Sequence, residues 1–199
     1  KEDSENENIL YLGTDNGLYV SFNRGKSWEA FSKNLPNVAI HDLVIQPTAK
    51  ELIIGTHGRS LYKATIGPLQ LFTDTLAKKA THLFKIKSVR KSSSWGNSWS
   101  KWLDVNTPEL KIPLYVNSTK KITIEIFYKE VRVNAISVNV EKGFNDVVYD
   151  LSFSKKGRKA FQKENKEVPL KKSKNNIYYL PRGKYMVKAE NTETFLEVN

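Results

Sequence analysis

Apolar residues recur at every second position along much of the second two-thirds of the chain. Ile122, Ile124 and Ile126 have this spacing, which is typical of a strand with one buried face. Short runs rich in Val, Ile, Thr and aromatic residues recur elsewhere, separated by Gly, Pro, Asn and Ser, and the chain is predicted to be all-β. Strands are predicted over residues 82–89, 111–116, 122–128, 131–140, 147–153, 185–189 and 196–198.

Two irregularities occur within these predicted strands. The alternation that includes Val131 and Val133 changes phase before Ile136, which predicts a β-bulge or a strand that switches sheets. Pro113 lacks the N–H that a central strand would donate, so it predicts an edge position for its strand.

The spacing of the strands predicts how the chain is divided. Seven short strands within about 120 residues are typical of an immunoglobulin-like β-sandwich, which is predicted for residues 82–199. Residues 67–81 are predicted to be a connector, with one or two helical turns at 74–79. Residues 1–8 are polar and are predicted to be a disordered lead.

The first third of the chain contains an internal repeat. Residues 10–20 align with residues 52–63, and each copy has a strand, a Gly-Thr pair, a polar turn and a second strand. The copies lie 42 residues apart, within the period of about 40–45 residues that four-stranded propeller blades have. Residues 9–66 are therefore predicted to be a partial β-propeller, with one blade hairpin and part of the next blade.

A turn motif follows the first copy of the repeat. Its defining residues match the Asp-box pattern Ser-x-Asp/Asn-x-Gly-x-Ser/Thr-Trp and are Ser21, Asn23, Gly25, Ser27 and Trp28. The Asn23 side chain is expected to bond to nearby backbone, and Gly25 is expected to supply a positive φ. Trp28 is expected to start the outer strand and to bury its ring against the blade. Asp-boxes tie hairpins together, so the predicted role is structural.

Several segments together resemble a bacterial protein family. Residues 55–62, 143–151 and 180–187 are similar to the C-terminal part of sortilin-like BNR/Asp-box-repeat proteins that are commonly labelled glycosyl hydrolases. The resemblance implies the end of a propeller followed by an Ig-like domain, in an exported bacterial protein whose upstream blades are the implied partner. It makes His57 and Arg59 candidates for a functional propeller face, although both also fit a structural hairpin turn.

Three tryptophans lie close together in the loop that precedes the second predicted sandwich strand. Trp95, Trp99 and Trp102 fit two different roles. Indole faces stack on the C–H-rich faces of sugar rings, so the three could form a carbohydrate-binding platform. Large indole rings with one N–H donor could equally fill a junction between propeller and sandwich. The sequence leaves both roles open.

The chain is strongly basic and contains no cysteine. The formal net charge is +11, and residues 155–174 carry nine Lys or Arg against two Glu. This basic segment fits a contact with an anionic surface, or a solvated loop or short helix. No nucleic-acid-binding motif accompanies it, so no nucleic-acid partner is predicted. The lack of cysteine excludes disulfides, thiol nucleophiles and thiolate metal sites.

No targeting or membrane-spanning segment is predicted in the chain. No apolar run reaches the roughly 20 residues that span a bilayer. The polar first residues lack the apolar region of a signal peptide, so an export signal is expected upstream.

No catalytic residue, metal ligand or cofactor is predicted. Glycosidases need two facing carboxylates roughly 5–9.5 Å apart, and the first third offers no recognisable pair. His41, His57 and His82 do not have the spacing of metal ligands. Two functions remain. The first is a structural or binding module for carbohydrate or another protein, without its own catalytic site. The second is the C-terminal accessory part of a glycoside hydrolase that acts on polysaccharide.

Overall fold

The computed structural model of the protein describes residues 1–31, 35–100 and 102–199. These residues form thirteen strands and three helices of at most ten residues, so the predicted all-β class is confirmed. The chain divides into two compact units, Lys1–Asp74 and Thr75–Asn199, and the division falls inside the predicted connector. No helix in the described ranges is long and apolar enough to span a membrane.

The first unit contains two antiparallel sheets of three strands each. Its elements are β1 (Leu10–Thr14), β2 (Gly17–Ser21), β3 (Glu29–Ala30), β4 (Ile40–Gln46), β5 (Glu51–Thr56), β6 (Leu61–Thr65) and helix α1 (Gly67–Gln70). The sheet orders β1-β2-β3 and β4-β5-β6 follow the chain. Leu18 and Val20 of β2 are buried, as are Leu52 and Ile54 of β5, so alternate positions form the core as the period-two pattern requires.

Residues 1–8 differ from the predicted disordered lead, because the first three pair with the open edge of β1. The Tyr11 N–H donates to the Lys1 carbonyl at 2.8 Å, and the Asp3 N–H donates to the Ile9 carbonyl at 3.0 Å. Asp3 is only 6% exposed. Its carboxylate accepts from Tyr11 Oη at 3.0 Å and from Gln70 Nε2 of α1 at 3.1 Å. The polar composition concealed this pairing with β1, because the side chain that fixes it is a buried carboxylate.

The Asp3 contacts also change the chemistry of Tyr11. Burial, together with the neighbouring Asp3 carboxylate, raises the pKa of Tyr11 far above its ordinary value. The phenol therefore keeps its proton and remains the donor to Asp3.

The second unit contains two antiparallel sheets of three and four strands. A short helix, α2 (Asp74–Ala77), precedes them and lies where helical turns were predicted. The remaining elements are β7 (Thr81–Leu83), β8 (Leu110–Val116), β9 (Lys120–Tyr128), β10 (Val131–Val140), β11 (Gly143–Tyr149), helix α3 (Lys155–Glu164), β12 (Gly183–Ala189) and β13 (Thr192–Val198). The sheet orders are β11-β8-β7 and β10-β9-β12-β13. Buried side chains from both sheets, including Leu114, Ile124 and Val187, belong to one hydrophobic cluster.

The strands differ from the sequence predictions in two places. β7 ends at Leu83, so the predicted strand 82–89 is shorter than expected. Pro113 lies in the central strand β8 rather than at an edge, and this prediction was wrong. Proline is tolerated there because β7 has already ended, and only the Phe84 N–H continues the ladder, donating to the Pro113 carbonyl at 3.0 Å.

The predicted bulge is confirmed in β10. The register against β9 shifts between Arg132 and Asn134, which leaves Val133 as the extra residue. Val133 remains fully buried, whereas Ala135 is exposed, so the phase changes two residues earlier than the apolar pattern indicated.

Helix α3 forms the first half of the basic segment. Ser154 caps it by accepting the Gly157 N–H at 2.9 Å, and Phe161 is buried. The Phe161 ring lies 5.1 Å, centroid to centroid, from the rings of both Tyr128 and Phe153. The helix is thus held by an aromatic contact, while Lys155, Lys159 and Lys163 are exposed. The short-helix interpretation of this half is confirmed.

We expect Asp3→Ala to lower the free energy of unfolding of the first unit by about 3 kcal/mol. The substitution leaves the buried Tyr11 hydroxyl and Gln70 amide without an acceptor, and such groups cost about 1–3 kcal/mol each. Urea denaturation followed by NMR signals of that unit measures the change. Glu2→Ala is the control, because Glu2 is exposed and its change should stay within about 0.5 kcal/mol. Equal losses for the two variants would contradict the assigned role of Asp3.

Candidate functional site

The turn between β2 and β3, which carries the sequence pattern of an Asp-box, is held together by the Asn23 amide. Asn23 Oδ1 accepts from the Ser27 N–H at 2.9 Å and from Ser21 Oγ at 3.0 Å, while Nδ2 donates to Ser27 Oγ at 2.7 Å. Ser21 Oγ in turn accepts the Gly25 N–H at 2.8 Å. Gly25 has a φ of +83°, as the motif requires. All of these bonds join residues of the turn itself, so they fix the connection between β2 and β3.

Trp28 does not bury its ring as the sequence analysis expected. It directly precedes β3, but it is 38% exposed. The two residues of β3 are themselves exposed, so the outer strand offers little surface for an indole. The ring instead lies over the turn, with Cζ2 about 3.5 Å from the position that a Cβ would take at Gly25.

His57 and Arg59 lie on the turn between β5 and β6, and both are exposed. The His57 imidazole lies 4.8 Å, centroid to centroid, from the imidazole of His41 in β4. Thr56 Oγ1 closes the turn by donating to the Ser60 carbonyl at 2.6 Å. Within the described ranges, no group of three or more His, Cys, Asp or Glu is arranged to hold a metal ion. The turn therefore carries one exposed imidazole and an arginine, and the imidazole of His57 is paired with that of His41 on β4.

The three clustered tryptophans occupy two different environments. Trp95 is 7% exposed and belongs to the hydrophobic cluster of the second unit. Its ring lies edge-on to Tyr179, with the centroids 5.9 Å apart. Trp99 and Trp102 are 96% and 93% exposed. Indoles that fill a junction must be buried, and of these three only Trp95 is buried.

Backbone hydrogen bonds close the loop that carries the exposed indoles, which we call the Trp loop (residues 92–100 and 102–106). The Gly96 N–H donates to the Asn106 carbonyl at 2.8 Å, and the Asn106 N–H donates to the Asn97 carbonyl at 2.9 Å. Ser98 Oγ, beyond this neck, donates to the Leu103 carbonyl at 2.7 Å. Hydrogen bonds within the loop therefore hold its tip, by which we mean residues 98–100 and 102–105.

Four large apolar side chains of the Trp loop are exposed. Leu103 and Val105 are 58% and 41% exposed and follow Trp102 closely in the sequence. Single exposed apolar residues are common, but exposed apolar residues grouped together mark binding sites more often than chance. The geometry therefore makes the tip a candidate contact for a ligand with apolar faces.

A pocket of about 360 Å³ lies at the base of the Trp loop, and we call it the lysine pocket. One wall comes from the Trp loop and the preceding residue, and includes Lys91, Trp95 and Asn97. The other wall comes from the loop between α3 and β12, which we call the basic loop (residues 169–174). That wall contributes Lys171, Lys172 and Lys174, and no Asp or Glu is among the described residues that line the pocket.

Lys91 is the most constrained cation of the lysine pocket. Its Nζ donates to the Leu180 carbonyl at 2.6 Å and lies 4.7 Å from the centroid of the Trp95 ring. Burial lowers the pKa of Lys91 to about 8, because the charged ammonium loses solvation there. The pocket thus holds the positive charge of Lys91 in a position where water solvates it only in part.

A larger groove of about 690 Å³ lies between α3 and the β9–β10 hairpin. Its lining mixes both signs of charge, with Arg132 and Lys156 beside Glu130 and Glu164. Mixed charge does not select one class of ligand, so this groove is a weaker candidate than the lysine pocket.

Sequence reasoning identified the tryptophans but missed the lysine pocket. Lys91 and the basic loop are about 80 residues apart in the sequence, and only the folded second unit brings them to one pocket. The run of lysines in the basic segment was the available signal. It could not indicate which of them line a pocket together with Lys91 and Trp95.

The chain matches no known protein-family model and no curated protein.

We expect Asn23→Ala and Gly25→Ala each to destabilise the first unit by about 1–2 kcal/mol. The first removes three hydrogen bonds of the turn, and the second forces a positive φ on a residue with a side chain. Thermal unfolding followed by circular dichroism measures both changes. Lys26→Ala is the matched control, because Lys26 is exposed in the same turn. Unchanged melting temperatures for both variants would show that these hydrogen bonds do not stabilise the first unit.

Proposed function

We propose that this chain is a non-catalytic binding module of an exported bacterial Asp-box propeller protein. Its Trp loop binds carbohydrate. We assign it no catalytic residue, and the blades that complete the propeller are its expected partner. Three sets of observations support this proposal: the organisation of the first unit, the strand order of the second, and the exposure of the Trp loop.

The first unit supports the propeller part of the proposal. Residues 1–3 pair with β1, so with β2 and β3 they make four consecutive antiparallel segments, the number in a propeller blade. The 42-residue repeat relates the hairpin β1–β2 to the hairpin β5–β6. Known propellers have about four to eight blades, so two such sheets need further blades to close a ring.

The second unit supports the immunoglobulin-like part of the proposal. If β7 to β13 are taken as the seven strands of an immunoglobulin domain, the first, second and fifth form one sheet. The third, fourth, sixth and seventh form the other, so only the fourth strand departs from the constant-type arrangement of ABED and CFG sheets. Tyr185, in the sixth strand, donates its hydroxyl to the Pro181 carbonyl four residues upstream at 2.8 Å. This bond resembles the tyrosine corner of such sandwiches.

The exposure of Trp99 and Trp102 carries the binding proposal. Two indoles, each more than nine-tenths exposed, lie three residues apart on a loop with a closed neck. An indole held in water forgoes the stabilisation that burial of its large apolar area provides. A ligand that covers both faces recovers that stabilisation, and sugar rings offer apolar C–H faces of matching size.

We expect Trp99→Ala and Trp102→Ala each to weaken binding to soluble polysaccharide about tenfold, or about 1.4 kcal/mol, because aromatic anchors dominate such contacts. Biolayer interferometry over immobilised dextran, xylan, mannan and polygalacturonate measures the binding. Neither substitution should change thermal stability by more than about 0.5 kcal/mol, because both side chains lie in solvent.

Trp28→Ala is the matched control for the binding measurement. Trp28 is also exposed, but it belongs to the first unit, and its loss should leave binding unchanged. The proposal fails if no polysaccharide is retained, or if all three tryptophan variants bind as the wild type does.

A further inference from the structure

The lysine pocket carries a local excess of positive charge, in addition to the net positive charge of the whole chain. Of the residues that the structure describes, four lysines line it, namely Lys91, Lys171, Lys172 and Lys174, and no Asp or Glu does. Elsewhere on the chain, cations such as Lys50, Lys63 and Lys120 pair with glutamates. The pocket has a volume of about 360 Å³, and the electrostatic potentials of the four lysines add within it. It therefore attracts anions more strongly than a surface with evenly spread charge would.

Lys91 indicates what the pocket is suited to hold. Folding keeps its ammonium half-buried between the Trp95 ring and the Leu180 carbonyl. Burial penalises this charge, as its lowered pKa reflects, and a bound anion would offset the penalty. A neutral ligand would not.

The pocket and the exposed tip of the Trp loop are adjacent along the chain. Asn97 lines the pocket, and Trp99 follows it by two residues, which span at most about 7 Å. A single extended molecule can therefore contact the tip with apolar faces and reach the pocket with an acidic group.

We propose that the lysine pocket binds the acidic group of an anionic polysaccharide whose neighbouring sugar rings stack on Trp99 and Trp102. This inference rests on the proposed carbohydrate binding and adds the chemical class of the ligand. Carboxylate and sulfate groups share the chemistry that the pocket recognises.

An anionic polysaccharide fits these features better than a nucleic acid does. Proteins that bind single-stranded nucleic acid use an extended basic groove that follows the phosphate backbone. Here the four lysines line one pocket, and the exposed Trp99 and Trp102 are not among the residues that line it.

The test compares two variants of the full chain that carry the same charge. Lys171→Gln/Lys172→Gln/Lys174→Gln alters the pocket, and Lys155→Gln/Lys159→Gln/Lys163→Gln alters exposed lysines of α3. Each triple substitution lowers the formal net charge from +11 to +8. Binding is measured at about 0.15 M NaCl, where the Debye length of about 8 Å screens general attraction. The probes are polygalacturonate, dextran sulfate, neutral dextran and a single-stranded oligonucleotide.

We expect the pocket variant to lose at least about tenfold in affinity for an acidic polysaccharide, and the helix variant to lose less than about threefold. The preferred acidic probe identifies carboxylate or sulfate as the recognised group. Equal losses for the two variants would overturn the proposal, because they would indicate attraction by net charge alone. Tighter binding of the oligonucleotide would also overturn it, in favour of a nucleic-acid site.

Chemical labelling of Lys91 supplies a second readout. At pH 8 about half of the Lys91 amines are unprotonated, against about 1% or less of ordinary lysines, so brief acylation should modify Lys91 early. Saturating acidic polysaccharide should slow this modification at least about fivefold, as measured by mass spectrometry. Binding without protection of Lys91 would place the ligand elsewhere and overturn the proposal.

The outcomes separate this inference from the proposed function. Binding of neutral dextran through Trp99, without preference for acidic probes, would refute the proposed anion binding by the lysine pocket. It would leave the proposed carbohydrate binding in place. Failure of every polysaccharide to bind would refute both.

Discussion

The contact between two loops at Gly96 determines the geometry of the candidate site. Gly96 has a φ of +75°, and a Cβ there would lie 2.5 Å from Asn175 Oδ1, so only glycine fits without displacing the neighbouring loop. The Asn175 N–H donates to the Gly96 carbonyl at 3.0 Å. This bond holds the Trp loop beside the chain that follows the basic loop. It also fixes the preceding Trp95 in the core, and the lysine pocket lies between the two loops as a result.

The features that could be predicted from the sequence are those that local pattern determines. The strict alternation of Ile122, Ile124 and Ile126 predicted β9, because a strand with one buried face admits few other patterns. The turn between β2 and β3 was equally local, since Asn23 needs partners only within four residues. The phase slip in β10 correctly indicated a bulge, because an extra residue must shift the buried face.

The features that escaped prediction depend on residues that are distant in sequence. The polar start pairs with β1 because Asp3 meets Gln70, 67 residues away. The central position of Pro113 depends on where β7 ends. The three tryptophans look alike in the sequence, yet Trp95 is buried because Tyr179 lies beside it, and the other two remain in solvent. The lysine pocket has the same origin, since its walls come from separate parts of the chain.

The central claim is that one buried indole anchors a loop that holds two others in solvent. The four tryptophan side chains give four indole N–H signals in a ¹H–¹⁵N NMR spectrum, and a soluble nitroxide broadens those that solvent reaches. The account predicts strong broadening for Trp99 and Trp102, intermediate broadening for Trp28 and little for Trp95. Protection of Trp99 and Trp102, or broadening of Trp95 to the same extent as theirs, would contradict it.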